Sequence, residues 1–167
     1  QLGIVAQEKQ QYNKALNYYQ KALEHDDVPT RMVALLHKDL GVTLTKMNRL
    51  AAAERELQAA LKITPDQAEA LSALTTLYLN HAKKPEQALQ VALKMTQRQP
   101  AFGPGFYNLG QCYATLQQID KAIAAFETGL QIGGVEFECS LLLGQIQANA
   151  KHWGSAEKHF RRALDSR

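Results

Sequence analysis

The stretch from Phe106 to Leu130 reads Phe106-x-x-Leu109-Gly110-x-x-Tyr113, then Ala122-x-x-x-Phe126-x-x-Gly129-Leu130, where x is any residue. Each half repeats its large and small apolar residues at three- and four-residue intervals, the spacing that gathers them on one face of an α-helix. The polar run Gln117-Gln118-Ile119-Asp120 separates the halves. Asp120 suits the N-cap of the second helix, because its carboxylate can accept a backbone N–H of the first turn. The stretch therefore predicts one helix–turn–helix unit. A single pair of amphipathic helices cannot bury its own apolar face, so such a unit needs neighbours of the same kind.

Those neighbours are written along the chain. The small residue after Leu in the first helix recurs as Gly3, Gly41, Thr75, Gly110 and Gly144, at intervals of 38, 34, 35 and 34. The small residue that opens the second helix recurs as Ala15, Ala53, Ala88, Ala122 and Ala156, at intervals of 38, 35, 34 and 34. One turn on stand Tyr19, Leu57, Ala92, Phe126 and Phe160, followed by the pairs Ala22-Leu23, Ala60-Leu61, Met95-Thr96, Gly129-Leu130 and Ala163-Leu164.

This pattern resembles the tetratricopeptide (TPR) repeat: a large residue, then Leu-Gly, then Tyr, followed by Ala, Phe and Pro at a period of 34. Gly129 stands where the family usually has Ala, and Gly134 where it has Pro. The third unit departs furthest, at Thr75, Ala92, Met95 and Thr96. The resemblance covers essentially the whole chain and implies an all-α, right-handed superhelical solenoid of about ten helices. It implies one array over residues 1–167, with repeats near 1–28, 29–66, 67–101, 102–135 and 136–167. Gln1 to Ala6 read as the latter part of a first helix, so the chain is expected to be a piece of a longer array.

The spacings also set local expectations. The interval of 38 lengthens the first helix of the second repeat to about Pro29–Lys46, with Leu50 to Ile63 as its partner. Lys83-Lys84-Pro85 marks the turn of the third repeat, with one residue more than usual. Pro100 to Gly105, rich in glycine and proline, reads as the connection to the fourth repeat. Gly133-Gly134 fits a glycine C-cap. Trp153 shares a slot with Tyr12 and Ile119 and is expected in the core. Leu143 and Ile146 are expected to lack a covering repeat.

The net charge of +3 is slight and Lys and Arg are spread along the chain. That argues against nucleic acid as a partner, which would call for a basic stripe. No apolar run approaches the roughly 20 residues of a membrane span. Cys112 and Cys139 lie 27 apart where the period is 34. They are therefore out of register by about 10 Å along parallel helices. A disulfide needs Cα atoms within about 7 Å, so free thiols in packing slots are expected.

Catalytic chemistry finds no pattern to rest on. None of His25, His37, His81, His152 and His159 belongs to a His-Glu-x-x-His motif, and there is no Cys-x-x-Cys. Neither a Gly-x-Ser-x-Gly elbow nor a phosphate-binding glycine loop is present. The Asp and Glu residues read as solvated outer faces. The expectation is a protein that is not an enzyme, with no metal and no cofactor.

In the TPR family the first helices of successive repeats line a concave face that binds peptides. Carried onto this sequence, the first repeat offers Ile4, Gln7 and Glu8, and the second offers Lys38 with Val42 and Thr45. The resemblance puts the binding residues at Lys38, Thr76, Asn80, Phe102, Tyr107, Asn108, Gln111, Gln145 and Asn149. Amides both donate and accept, as an extended peptide backbone requires. Tyr107 and Phe102 add the aromatic type enriched in binding hot spots. One subclass can be tested residue by residue. Cochaperone TPR domains hold the C-terminal carboxylate of the Hsp70 and Hsp90 chaperones with Lys, Asn, Asn, Lys and Arg. Laid over the second to fourth repeats, Lys38 matches and Val42, Ala73, Pro104 and Asn108 do not. Begun one repeat later, Asn108 matches while Ser72, Thr76, Glu138 and Leu142 do not. That partner is therefore not expected.

The expected function is a protein-interaction scaffold that binds a partner peptide or segment in its groove. The alternatives are an assembly arm of a bacterial polysaccharide or pilus export system, or the regulatory arm of an enzyme whose catalytic domain lies elsewhere. Self-association through uncapped ends, around Leu141 to Gln145 or Leu2 to Gln7, is also expected.

Overall fold

A computed structural model of the protein describes residues 11–166. The described residues form nine α-helices and one π-helical turn. These are α1 (Tyr12–Leu23), α2 (Thr30–Lys46), α3 (Leu50–Ile63), α4 (Ala68–Thr76) with the π-turn Leu77–His81, α5 (Pro85–Arg98), α6 (Gly103–Thr115), α7 (Ile119–Ile132), α8 (Glu136–Asn149) and α9 (Trp153–Asp165). The helices alternate as first and second members of the pairs the sequence predicts. The start of the first pair, with Ile4, Gln7, Glu8 and the segment Leu2 to Gln7, lies outside the described residues.

The contacts gather into two compact units, one ending at Lys84 and the other beginning at Pro85. In the first, α2 packs on α1 and α3, and α3 packs on α4. Its core includes Tyr19, Leu36, Leu40, Leu57, Leu71 and Leu77. In the second, α5 packs on α6, α6 on α7, α7 on α8 and α8 on α9. Its core is a cluster of Ala122, Phe126, Leu130, Val135, Cys139 and Leu143. Burying a side chain the size of Phe126 contributes roughly 1.5–3 kcal/mol.

The Leu-Gly pair has a steric reason. A Cβ on Gly41 would lie 2.5 Å from Leu57 Cγ, one on Gly110 2.4 Å from Phe126 Cε1, and one on Gly144 2.5 Å from Phe160 Cε1. The glycine of the first helix thus makes room for the large residue of its partner, 16 positions on. Close approach also explains the fourth repeat's surplus glycine. A Cβ on Gly103 would sit 2.1 Å from the Gly133 carbonyl oxygen, and one on Gly129 would sit 3.2 Å from Cys139 Sγ.

The turn within each pair is a repeated device. Asn48, Lys83, Gln117 and Lys151 all have positive φ, between 55° and 62°. In three of them the following N–H reaches back five residues: Arg49 to Leu44, Gln118 to Tyr113 and His152 to Gln147, each at 2.9 Å. This is the Schellman closure of a helix C-terminus. In the third repeat the bond runs from Lys84 to the Tyr78 carbonyl at 2.8 Å, six residues back. The extra residue is thus absorbed by widening the helix into the π-turn, not by lengthening the loop.

Four expectations need correction. Asp120 is not the N-cap of α7; Gln118 is, with no side-chain cap bond, and Asp120 lies in the first turn, where its charge still favours the helix dipole. The connection before α6 is shorter than Pro100–Gly105, because the helix begins at Gly103 and takes Pro104 in its first turn, where no N–H is needed. Trp153 is not core: as the first residue of α9 it is 66% exposed. Leu143 is fully buried in the cluster, and the exposed apolar residues near the C-terminus are Trp153 and Leu164 of α9.

Candidate interaction surface

The nine residues expected to bind divide between the two units. In the first unit, Lys38 lies on α2, Thr76 ends α4, and Asn80 is exposed in the π-turn. Lys38 Nζ donates to Asp39 Oδ1 at 2.5 Å, so its charge already has a counter-ion. The carboxylates are more engaged than a solvated outer face implies. Glu56 Oε2 lies 2.7 Å from His37 Nδ1. Tyr78 donates its hydroxyl to Glu54 Oε1 at 2.7 Å, and Lys84 Nζ stands 3.7 Å from the other Glu54 oxygen and 5.7 Å from the Tyr78 ring centre. Burial and the Glu54 bond push the Tyr78 hydroxyl up to about 12. The repeat pattern marks Tyr78 as a core residue, and only the presence of Glu54 on the neighbouring helix could have signalled the bond.

In the second unit, Phe102 is the N-cap residue of α6, which carries Tyr107, Asn108 and Gln111; Gln145 and Asn149 lie on α8. Tyr107 is half-buried. Its ring packs on the core cluster with its centre 6.3 Å from that of Phe126, at 46°. Its hydroxyl accepts a hydrogen bond from Gln111 Nε2 at 2.9 Å. Burial raises the pKa of that hydroxyl, and the neighbouring Glu138 and Cys139 add to the effect. Leu142 of α8 packs on the same cluster, to which α8 also contributes Cys139 and Leu143.

The remaining residues are less alike than the sequence suggests. Asn108 is only 5% exposed and is not without a partner, so it belongs to the packing of α6. Gln145 is exposed on α8. Asn149 lines an open cleft of about 480 Å³ with Gln117, Ile119, Ile123, Ile146 and His152, which Tyr107 and Gln111 do not line. His152 Nδ1 is 3.0 Å from Gln147 Oε1 at the edge of that cleft. Among the described residues, no three His, Cys, Asp or Glu side chains stand together so as to hold a metal ion. Among them too, no helix is long and apolar enough to cross a membrane. Cys112 and Cys139 are free and buried.

Comparison with known proteins fits this geometry. Three tetratricopeptide repeat family models match residues 1–66, 38–104 and 104–132. The chain is similar to the Protein CTR9 homolog of Arabidopsis thaliana, with 26% identity over 161 residues, 93% of this chain and 15% of that protein. It is also similar to Protein bimA of Emericella nidulans, with 25% identity over 170 residues, 98% of this chain and 20% of that protein. The chain thus spans a fifth or less of these relatives' length. Among solved structures, MamA superposes with a TM-score of 0.76 at 21% identity, covering 99% of this chain and 94% of that one. TTC0263, a thermophilic TPR protein of Thermus thermophilus, gives 0.77 at 21% identity, covering 98% and 87%. Likeness at this identity speaks to the fold. With the Gly–Phe interlock, the repeated left-handed turn and the family matches in agreement, the chain belongs to the tetratricopeptide repeat proteins, an all-α family of protein-interaction scaffolds.

Proposed function

We propose that the chain holds an extended segment of a partner protein against the first-helix face of its second unit, with Tyr107, Gln111 and Gln145 at the centre. The observation that carries this reading is the Tyr107–Gln111 pair. The aromatic ring packs on Phe126, both residues of the pair are half-buried, and the hydroxyl and the neighbouring amide are hydrogen-bonded to each other. A side chain so ordered before binding loses little freedom when a partner arrives. The face binds without a catalytic step, metal or cofactor. Phe102, at the start of α6, extends the apolar edge. Lys38, Thr76 and Asn80 belong to the first unit. A random-peptide display selection on the whole chain tests the reading. Selected peptides are expected to lose about 1–2 kcal/mol of affinity on Tyr107→Ala. Unchanged affinity in both Tyr107→Ala and Gln111→Ala would put the site elsewhere.

A second reading, self-association, is favoured by the exposure of Trp153 (66%) and Leu164 (67%) on α9. Light scattering over a concentration series is expected to show a rising mass that Leu164→Glu abolishes. A constant monomer mass removes this reading.

A further inference from the structure

The charges of the second unit are sorted by helix. The thirteen residues of α6 contain no Asp, Glu, Lys or Arg. The fourteen residues of α8 contain two charges, Glu136 and Glu138, and no cation. All seven described Lys and Arg residues of the unit lie on α5, α7 and α9 or in the turn at Lys151. In a chain of net charge +3, this leaves the first-helix face acidic. Of its two carboxylates, Glu136 is already used: its Oε1 accepts the Gly134 backbone N–H at 3.1 Å. Glu138 is exposed and has no ion-pair partner among the described residues. It lies one turn from Leu142, which packs on the same cluster as Tyr107, and its charge adds to the rise that burial gives the Tyr107 hydroxyl pKa.

We infer that this face recognises a basic side chain, Lys or Arg, of the partner segment, seated over the Tyr107 ring with its charge against Glu138. The inference rests on the partner-segment reading above and adds the chemistry of the partner. A cation over a tyrosine face is attracted by the ring's quadrupole. A carboxylate beside it completes a charge-assisted hydrogen bond. Gln111 donates through Nε2 to Tyr107, which leaves its Oε1 free to accept from an ammonium or guanidinium. An acidic segment would be repelled by Glu138, and a neutral one would cover that carboxylate without pairing it.

The test is a random-peptide display selection run in parallel on the wild-type chain and on Glu138→Lys. Wild type is expected to enrich Lys or Arg at one fixed position, and Glu138→Lys to shift that position toward Asp or Glu. A synthetic copy of the leading wild-type peptide is expected to bind Glu138→Gln about three- to tenfold more weakly than wild type. That gap should narrow as salt is raised. Glu138 is exposed, and far-UV circular dichroism verifies that both variants keep their helices. Selected peptides without a basic position, still weakened by Tyr107→Ala, would overturn this inference and leave the partner-segment reading standing. Peptides indifferent to Tyr107→Ala, or no enrichment at all, would overturn both.

Discussion

Tyr107 sits half in the core and half outside it, and the same contrast sorts the other polar residues. Ser140 stands 34 residues after Phe106, in a slot where the repeat takes a large residue, and it is fully buried with a hydroxyl that has no partner. A buried hydroxyl without a bond is destabilising. Ser140→Ala is therefore expected to raise stability by about 1 kcal/mol in urea unfolding; a loss of stability would mean that the hydroxyl finds an acceptor after all. Asn108 behaves oppositely, because it is buried and not without a partner. Asn108→Ala should lower stability by about 1–2 kcal/mol, a loss seen as a lower urea midpoint. The two thiols give a pH signature. Burial pushes both Cys112 and Cys139 up to about 12, from an ordinary value near 9. The folded state thus holds protons that the unfolded chain releases. Stability from this source is complete below about pH 9 and is lost as pH rises toward 12. Alkylation of either thiol at neutral pH is expected only after denaturant is added; rapid labelling of the native protein would contradict the burial.

At the scale of the element, what holds a repeat together is a small residue facing a large one. Gly110→Ala puts a methyl within 2.4 Å of the Phe126 ring. Overpacking of this kind costs about 1–3 kcal/mol, against the fraction of a kcal/mol that Ala gains over Gly in a helix. In a double-mutant cycle with Phe126→Leu, the two changes should couple by about 1 kcal/mol; strict additivity would deny the interlock. The left-handed turn offers a gain instead. Lys151, at φ 62°, holds a conformation that glycine adopts freely. Lys151→Gly is expected to stabilise by about 0.5–1 kcal/mol by thermal unfolding. These elements are legible in the sequence because the period fixes which residues face each other: the expected spans of α2 and α3 agree almost to the residue, and the interval of 35 shows the extra residue of the third repeat. Its destination was not legible, since a longer loop and a π-turn have the same length. Nor was the cap at Gln118, because the αL closure at Gln117 sets that boundary, not a capping side chain. Trp153 departs from its expected core place because its slot lies at the first residue of a helix, where Ile119 is also exposed.

For the molecule as a whole, periodicity makes the fold plain, and it leaves the proposed surface half-read. Family slots put Tyr107, Gln111 and Gln145 on first helices, where they lie. They could not tell that Asn108 turns inward, that Lys38 is already paired with Asp39, or that Asn149 opens onto a separate cleft. Those outcomes depend on side-chain partners that no repeat pattern encodes. The sorting of charge between first and second helices is present in the sequence, and it becomes meaningful once residues of α6 and α8 are seen to pack on one cluster. If partner segments are held on this first-helix face, backbone amide NMR of the chain titrated with a display-selected peptide will show it. Shifts are expected to concentrate on α6 and α8, strongest around Tyr107, Gln111, Glu138 and Gln145. Shifts confined to α5, α7 and α9 would contradict it.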